Sequence, residues 1–158
     1  KYKKLNILVH PKSYVHALIK FKNGLTKILI HDTDMTIPIF NSFYEKEKKM
    51  ISSKKLNFTV INNLNFKKVD LKRFPVIKIL DKLPNNHSLF ETVIVAANDT
   101  LVDMFLNKKI KFLDISKNLL KIIKNREFIK YKRILPQNGE DIVKLSKYVS
   151  FKIQSLSI

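Results

Sequence analysis

The chain has 158 residues, of which 45% are hydrophobic, and it contains no cysteine. These values are typical of a globular protein with its own core, and they exclude a disulfide framework, a cysteine zinc site and a cysteine nucleophile. Every apolar stretch is shorter than the roughly 18 residues that a membrane-spanning helix needs, so we expect no membrane partner.

The formal net charge is +18, from 31 Lys and Arg against 13 Asp and Glu. A charge of this size is typical of proteins that bind nucleic acid. The lysines are spread along the whole chain, however, and AT-rich codon usage enriches Lys, Ile and Asn whatever the function. Phe90, Phe105 and Phe112 have the helical spacing of core residues, not of aromatics that stack on bases. We therefore expect no nucleic acid, and a stand-alone basic nucleic-acid-binding module is kept as an alternative.

The first third of the chain predicts a small β unit. An apolar run over 5–9 is followed by two more, over 14–21 and 25–30. The last two flank Asn23-Gly24, a pair that favours the positive φ angles of a type I′ hairpin turn. Apolar and polar residues alternate in the first arm, so we expect the hairpin to have at least one buried face.

The remaining sequence predicts helices. Asp32 or Asp34 is placed to cap a helix over 35–45, with Pro38 in its first turn. Asp70 is placed to cap a second helix, over 71–83. Apolar residues at helical spacing predict three more, over 88–106, 114–123 and 140–156. The predicted fold class is therefore α+β, with a small antiparallel β-hairpin or sheet unit (residues 1–60) followed by a C-terminal α-helical bundle (residues 61–158).

Several short motifs stand in a fixed order along the chain. One is His10-Pro11-Lys12-Ser13 with a second histidine at His16, followed by the Asn-Gly turn and by Asp34-Met35-Thr36-Ile37-Pro38-Ile39. The others are Asp70-Leu71-Lys72-Arg73-Phe74-Pro75 and Ala96-Ala97-Asn98-Asp99. Together these motifs resemble the C-terminal portion of 1-deoxy-D-xylulose 5-phosphate reductoisomerase, and their fixed order from about Leu5 to Ile115 makes the resemblance specific.

The resemblance implies an NADPH-dependent oxidoreductase of the non-mevalonate isoprenoid pathway. It would convert a phosphorylated sugar, 1-deoxy-D-xylulose 5-phosphate, to 2-C-methyl-D-erythritol 4-phosphate with the help of Mg²⁺ or Mn²⁺. It also implies a homodimer, in which residues 1–60 belong to the catalytic and connecting (dimerisation) region and residues 61–158 form the C-terminal helical domain. The whole protein would function in a plastid-type organelle, such as an apicoplast, or in the cytoplasm of a bacterium with an AT-rich genome.

NADPH and the metal are expected to be bound by residues upstream of this chain. The sequence has two glycines, Gly24 and Gly139, so it cannot contain a glycine-rich dinucleotide loop. The resemblance likewise assigns the metal carboxylates and the phosphate-binding groups to the preceding sequence. We therefore predict that this fragment alone is inactive. A non-catalytic relative that keeps dimerisation is the remaining alternative.

The resemblance implies that Ser13, His16 and Met35 lie near the cofactor and the substrate. His16 would have a supporting role there, and the resemblance assigns no catalytic or metal-binding residue to this chain. The residues alone leave a second interpretation open for each. Ser13 is a turn residue after Pro11, Met35 is core filler, and His16 is a histidine satisfied by hydrogen bonds at a sheet edge.

Three further residues are predicted to be structural. Asn98 and Asp99 look like an oxyanion or metal group, but adjacent helical positions point apart. The resemblance implies instead a corner of organising hydrogen bonds between the helical and catalytic domains. Pro38 belongs to the start of its helix.

The other polar candidates are given structural interpretations. Asp34 is expected to be a helix cap and not a catalyst. We expect His10 to be satisfied by hydrogen bonds at the edge of a sheet. His31 and His87 are interpreted as structural or surface residues.

Overall fold

The computed structural model describes residues 5–44 and 49–155. Their contacts form two compact units, a β-rich unit of residues 6–69 and a helical unit of Leu5 with residues 70–155. Short antiparallel strands come first and helices follow, which confirms the α+β class. The predicted helix ends at Glu45 and Leu156 lie outside the described residues. None of the described helices is long and apolar enough to cross a lipid bilayer.

The β-rich unit contains two antiparallel pairs of strands. β1 (Leu8–Val9) pairs with β4 (Lys67–Lys68), and β2 (Val15–Lys20) pairs with β3 (Thr26–Ile30) to form the predicted hairpin. The latter pairing is irregular between Val15 and Ala17, which leaves the residue between them as a bulge.

The hairpin turn is not the predicted type I′ turn. Gly24 has a φ of +88°, whereas Asn23 is not among the residues with positive φ. The Gly24 N–H donates to the Phe21 carbonyl at 3.2 Å, and the Phe21 N–H donates to the Leu25 carbonyl at 2.8 Å. The loop therefore has three residues and ends in a left-handed glycine. Such a loop needs a positive φ only at its last residue. The Asn23 side chain accepts the Leu25 N–H at 3.1 Å.

Neither face of the hairpin is buried, so the predicted buried face is wrong for this chain. Leu18 pairs with Ile28 on one face, Ala17 pairs with Leu29 on the other, and all of them except Ala17 are exposed. A sheet face is buried only where another element packs on it. Within the described part of this unit, no other element packs extensively on the hairpin.

Helix α1 (Thr36–Tyr44) confirms the predicted cap and the place of Pro38. The Asp34 carboxylate accepts the Thr36 N–H at 2.9 Å. Pro38 lies in the first turn, where backbone N–H groups have no partner within the helix, and it is half-buried. A one-turn helix, α2 (Phe58–Ile61), completes the unit and is capped by Asn57, whose side chain accepts the Val60 N–H at 3.1 Å.

The helical unit consists of four α-helices and two 3₁₀ helices in its described part. They are a first 3₁₀ helix (Pro75–Lys82), α3 (Leu89–Leu106), α4 (Phe112–Ile122), α5 (Arg126–Ile129), a second 3₁₀ helix (Lys130–Arg133) and α6 (Gly139–Ser155).

The predicted helix over 71–83 is replaced by one turn and the first 3₁₀ helix. Asp70 does accept the Lys72 N–H at 2.8 Å. A proline disfavours the helical conformation of the residue before it, and Phe74, before Pro75, has φ −121° and ψ 64°. The chain therefore leaves the turn at Phe74 and begins a new helix at Pro75.

The core of the helical unit forms around α3, which packs on α4 and α6. The predicted α3 stripe is buried from Phe90 to Met104, and α6 contributes three buried residues at a spacing of four, Leu145, Val149 and Ile153. Two phenylalanines predicted as core residues lie outside the core, since Phe105 is half-buried and Phe112 is 68% exposed. Ile142, which has the apolar spacing of α6, is 42% exposed.

Candidate functional site

The histidine-proline motif forms a tight turn that leads into β2. The His10 carbonyl accepts the Ser13 N–H at 2.8 Å, and Ser13 takes a left-handed φ of 50°. The ring of His10 is only 8% exposed, and its Nδ1 atom accepts the Tyr14 N–H at 2.9 Å. The proton of the neutral ring is then on Nε2. The structural interpretation of His10 is confirmed, and Ser13 is indeed a turn residue.

His16 occupies the bulge in β2 and stacks on His31, the residue that follows β3. The two ring centroids are 3.6 Å apart and the planes differ by 3°. The Nε2 atom of His16 lies 3.2 Å from the His31 carbonyl oxygen and must donate to it, because a carbonyl only accepts. The sequence interpretation missed this pair. Counting the register outward from the Asn23-Gly24 turn places His31 opposite the start of β2.

A pocket of about 420 Å³ lies beside the N-terminus of α1. Its polar walls are supplied by Asp32, Thr33, Asp34, Ser52, Ser53 and Lys54. The Thr36 hydroxyl and N–H donate to Asp34 and, together with the positive charge of Lys54, hold the pKa of this carboxyl below its usual value. The pocket therefore combines two carboxyl groups, a lysine ammonium group and three hydroxyls, which suits a polar ligand group.

Met35 follows directly after Asp34 and is 65% exposed. It is therefore not core filler in this chain. Ser13 precedes β2 and His16 is its second residue, while Asp34 and Met35 follow β3. The chain order therefore brings all four to the end of the hairpin opposite Gly24. That Ser13, His16 and Met35 share one wall of an active site stays a prediction.

Asn98 and Asp99 are close to each other on α3, contrary to the expectation that they point apart. The Asn98 amide nitrogen lies 3.5 Å from an Asp99 carboxylate oxygen. Asn98 is half-buried and Asp99 is exposed, so the pair is held on the surface of the helix. Their role at a corner between domains stays a prediction.

The described residues do not form a metal or dinucleotide site by themselves. Within 5–44 and 49–155, no group of three or more His, Cys, Asp or Glu side chains could hold a metal ion. The two glycines lie at the hairpin turn and at the start of α6, so they form no phosphate-binding loop. In its described part, the candidate site therefore supplies hydrogen-bonding and charged groups but no cluster of three metal ligands.

The order of a β-hairpin, a capped helix and a helical unit places the chain in the α+β class. The family model described as the DXP reductoisomerase C-terminal domain matches residues 30–150. A 1-deoxy-D-xylulose 5-phosphate reductoisomerase of Pelagibacter ubique is 58% identical over 157 residues, which are 99% of this chain and 40% of that protein. The chain belongs to the 1-deoxy-D-xylulose 5-phosphate reductoisomerase family.

Two solved structures extend the comparison. The reductoisomerase of Zymomonas mobilis in complex with NADPH is 27% identical, has a TM-score of 0.80, and is matched over 99% of this chain and 40% of its own. A reductoisomerase in complex with NADPH, fosmidomycin and magnesium is 22% identical, with a TM-score of 0.74 over 94% of this chain and 37% of its own, and this likeness concerns the fold alone. The chain thus spans about 40% of the length of the relatives that it matches.

Proposed function

We propose that this chain is the C-terminal part of an NADPH-dependent reductoisomerase that converts 1-deoxy-D-xylulose 5-phosphate to 2-C-methyl-D-erythritol 4-phosphate in the non-mevalonate isoprenoid pathway. One observation carries the proposal, the 58% identity over 99% of the chain to a reductoisomerase of Pelagibacter ubique. Identity at this level along almost the whole chain favours a shared activity over a shared fold only. Since that relative is bacterial, it also favours a bacterial cytoplasm over an organelle.

The cofactor and the metal would be bound by the part of the protein that precedes these residues. Known reductoisomerase structures contain NADPH and magnesium, and this chain lacks both a three-ligand metal group in its described residues and a glycine-rich loop. The family resemblance implies that the preceding part contains an Asp-x-Glu metal pair and a Met-x-Asn-Lys-x-x-Glu segment. A bound Mg²⁺ or Mn²⁺ would polarise the substrate oxygens.

Ser13, His16 and Met35 would form a wall beside the nicotinamide and the substrate. The stack on His31 and the bond from Nε2 to the His31 carbonyl fix the ring of His16, and a fixed ring can position a substrate group. Met35 offers an exposed and polarisable side chain, which suits contact with a planar ring. His16 acts in this proposal as a positioning residue and not as the acid or base.

The hairpin β2–β3 would belong to the sheet of a homodimer, and the helical unit would be a buttress of the whole enzyme. An isolated two-stranded hairpin is marginal in water, yet Leu18 and Ile28 on one face and Ile19 and Leu29 on the other are exposed here. The rest of the subunit and a second subunit are the expected partners of these faces. The corner formed by Asn98 and Asp99 would align the helical domain in the same assembly.

The complete polypeptide that contains these residues tests the proposal. We expect NADPH consumption that requires both the deoxyxylulose phosphate substrate and Mg²⁺ or Mn²⁺, while residues 1–158 alone give none. His16→Ala should lower kcat by about tenfold or more, as expected when a positioning group is lost. His87→Ala is the matched histidine control, and it should keep the original kcat.

Sedimentation analysis of the same samples separates loss of chemistry from loss of assembly. A folded dimer without turnover would favour the non-catalytic alternative. Turnover with a fully active His16→Ala variant would leave the activity in place and remove the proposed role of His16.

A further inference from the structure

A second pocket, unrelated to the hairpin, lies where α3 ends and α4 begins. Its volume is about 460 Å³. Five lysines line it, namely Lys108, Lys109, Lys111, Lys117 and Lys121. It lies entirely within the helical unit, and nothing in the proposed reductoisomerase chemistry uses it.

Two helix ends bring these lysines together. The N–H of Lys109 donates to the Met104 carbonyl at 2.8 Å and the N–H of Lys108 donates to the Phe105 carbonyl at 2.9 Å, a pattern that ends α3 and reverses the chain. Helix α4 then begins at Phe112, and Lys117 and Lys121 are one turn apart on it. Lysines from the end of one helix therefore face lysines from the next.

The pocket has an excess of uncompensated positive charge. None of its five lysines has an ion pair within the described part of the chain. The one carboxylate in the lining, Asp114, accepts the backbone N–H of Lys111 at 3.0 Å. Ammonium groups held close together repel one another, and a bound anion would relieve that repulsion.

Asn118 is the observation that separates this pocket from an ordinary basic surface. The residue lines the pocket and is only 5% exposed. Its amide nitrogen is buried and has no hydrogen-bond partner in the described residues. Buried amides in folded proteins are almost always paired, so an unpaired donor on a residue that lines the pocket indicates a missing acceptor. An oxyanion supplies such an acceptor.

We propose that this pocket binds a small phosphate-bearing anion of about the size of a diphosphate. Lysine ammonium groups are effective partners of phosphate oxygens, and the Asn118 amide would donate one directed hydrogen bond to the same group. A volume of about 460 Å³ suits a small molecule and not a polymer segment. The site thus adds a ligand that is neither the substrate nor the cofactor of the proposed reaction.

Calorimetric titration of the complete protein with inorganic pyrophosphate tests the proposal. The buffer is free of divalent metals, and chloride keeps the ionic strength constant. We expect saturable binding of one pyrophosphate per chain. Asn118→Leu should weaken it about tenfold or more, since a hydrogen bond to a charged group is lost. Lys117→Gln should weaken it severalfold, while Lys147→Gln, a matched exposed lysine on α6, should leave it unchanged.

A second measurement keeps the test independent of folding defects. In NMR spectra of the unaltered protein, the side-chain amide resonances of Asn118 should shift on saturation with pyrophosphate. Equal weakening by Lys117→Gln and Lys147→Gln would overturn the proposal, since it would mean binding by general surface charge. So would full binding by Asn118→Leu, or a single-stranded oligonucleotide that binds with a steep salt dependence in every variant.

Discussion

The contact between α3 and α6 depends on one buried polar pair as well as on apolar packing. The Thr100 hydroxyl lies 2.7 Å from the Ala96 carbonyl and 2.9 Å from the Ser150 hydroxyl. A hydroxyl has a single proton, so Thr100 donates to the carbonyl and accepts from Ser150. Replacing Thr100 by Val keeps the branched shape and removes both bonds. We expect this change to lower the free energy of unfolding.

The size of the loss follows from burial. Thr100 is only 5% exposed, and its substitution leaves the Ser150 hydroxyl without its acceptor. Such a change costs about 1–2 kcal/mol, and Ser150→Ala alone costs about 1 kcal/mol. The double variant loses the shared bond once, so we expect it to be more stable than the sum of the single losses predicts, by about 1 kcal/mol.

Chemical denaturation of the four proteins, followed by circular dichroism, measures this coupling energy. Ser146→Ala, one turn earlier on α6, replaces Ser150→Ala in a control cycle, and its effect should add to that of Thr100→Val. Losses at Thr100 and Ser150 that add within about 0.3 kcal/mol would refute a hydrogen bond between the helices.

Three further predictions concern single groups. Lys108 has a left-handed φ of 59°, and Lys108→Gly should raise stability by about 0.5–1 kcal/mol in thermal denaturation, since glycine has no Cβ to strain. The Tyr148 hydroxyl donates to the Glu127 carboxylate, which holds the pKa of Tyr148 above its ordinary value of 10.0. NMR titration of Glu127→Gln should show that pKa falling toward 10.0. The pKa of Asp34 should lie below 3.8 and should rise toward that value in Thr36→Val, which removes the hydroxyl donor.

The signs of the two pH effects are opposite. Because the pKa of Tyr148 is raised on folding, its contribution to stability is complete below pH 10.0 and is lost as the pH rises through the folded-state pKa. Because the pKa of Asp34 is lowered, its contribution is complete above pH 3.8 and is lost as the pH falls through the folded-state pKa.

Lys108→Ala is the control for the stability prediction at Lys108, since it removes the charge but keeps the Cβ. If Lys108→Ala raised the stability as much as Lys108→Gly does, the argument from backbone strain would be contradicted.

Much of this protein was determined by short-range sequence features. The Asn23-Gly24 pair predicted the hairpin, Asp34 and Pro38 predicted the start of α1, and the apolar spacing of 90–104 predicted α3. Each of these depends on residues within a few positions of one another, which is the range over which turn chemistry, capping and helical periodicity act. The family resemblance rested on the same local motifs and was confirmed.

What the tertiary structure decided was which side chains meet. The stack of His16 on His31 depends on a three-residue loop and a bulge, and a shift of one residue changes every cross-strand partner. The pocket around Asn118 joins the end of one helix to the face of the next. Both faces of the hairpin are exposed, because a face is buried only where another element packs on it. Alternation along a strand predicts two faces but does not say which element, if any, covers them. Local sequence determines the elements, but register and packing are set by contacts between residues far apart in the chain, and these decide the sites.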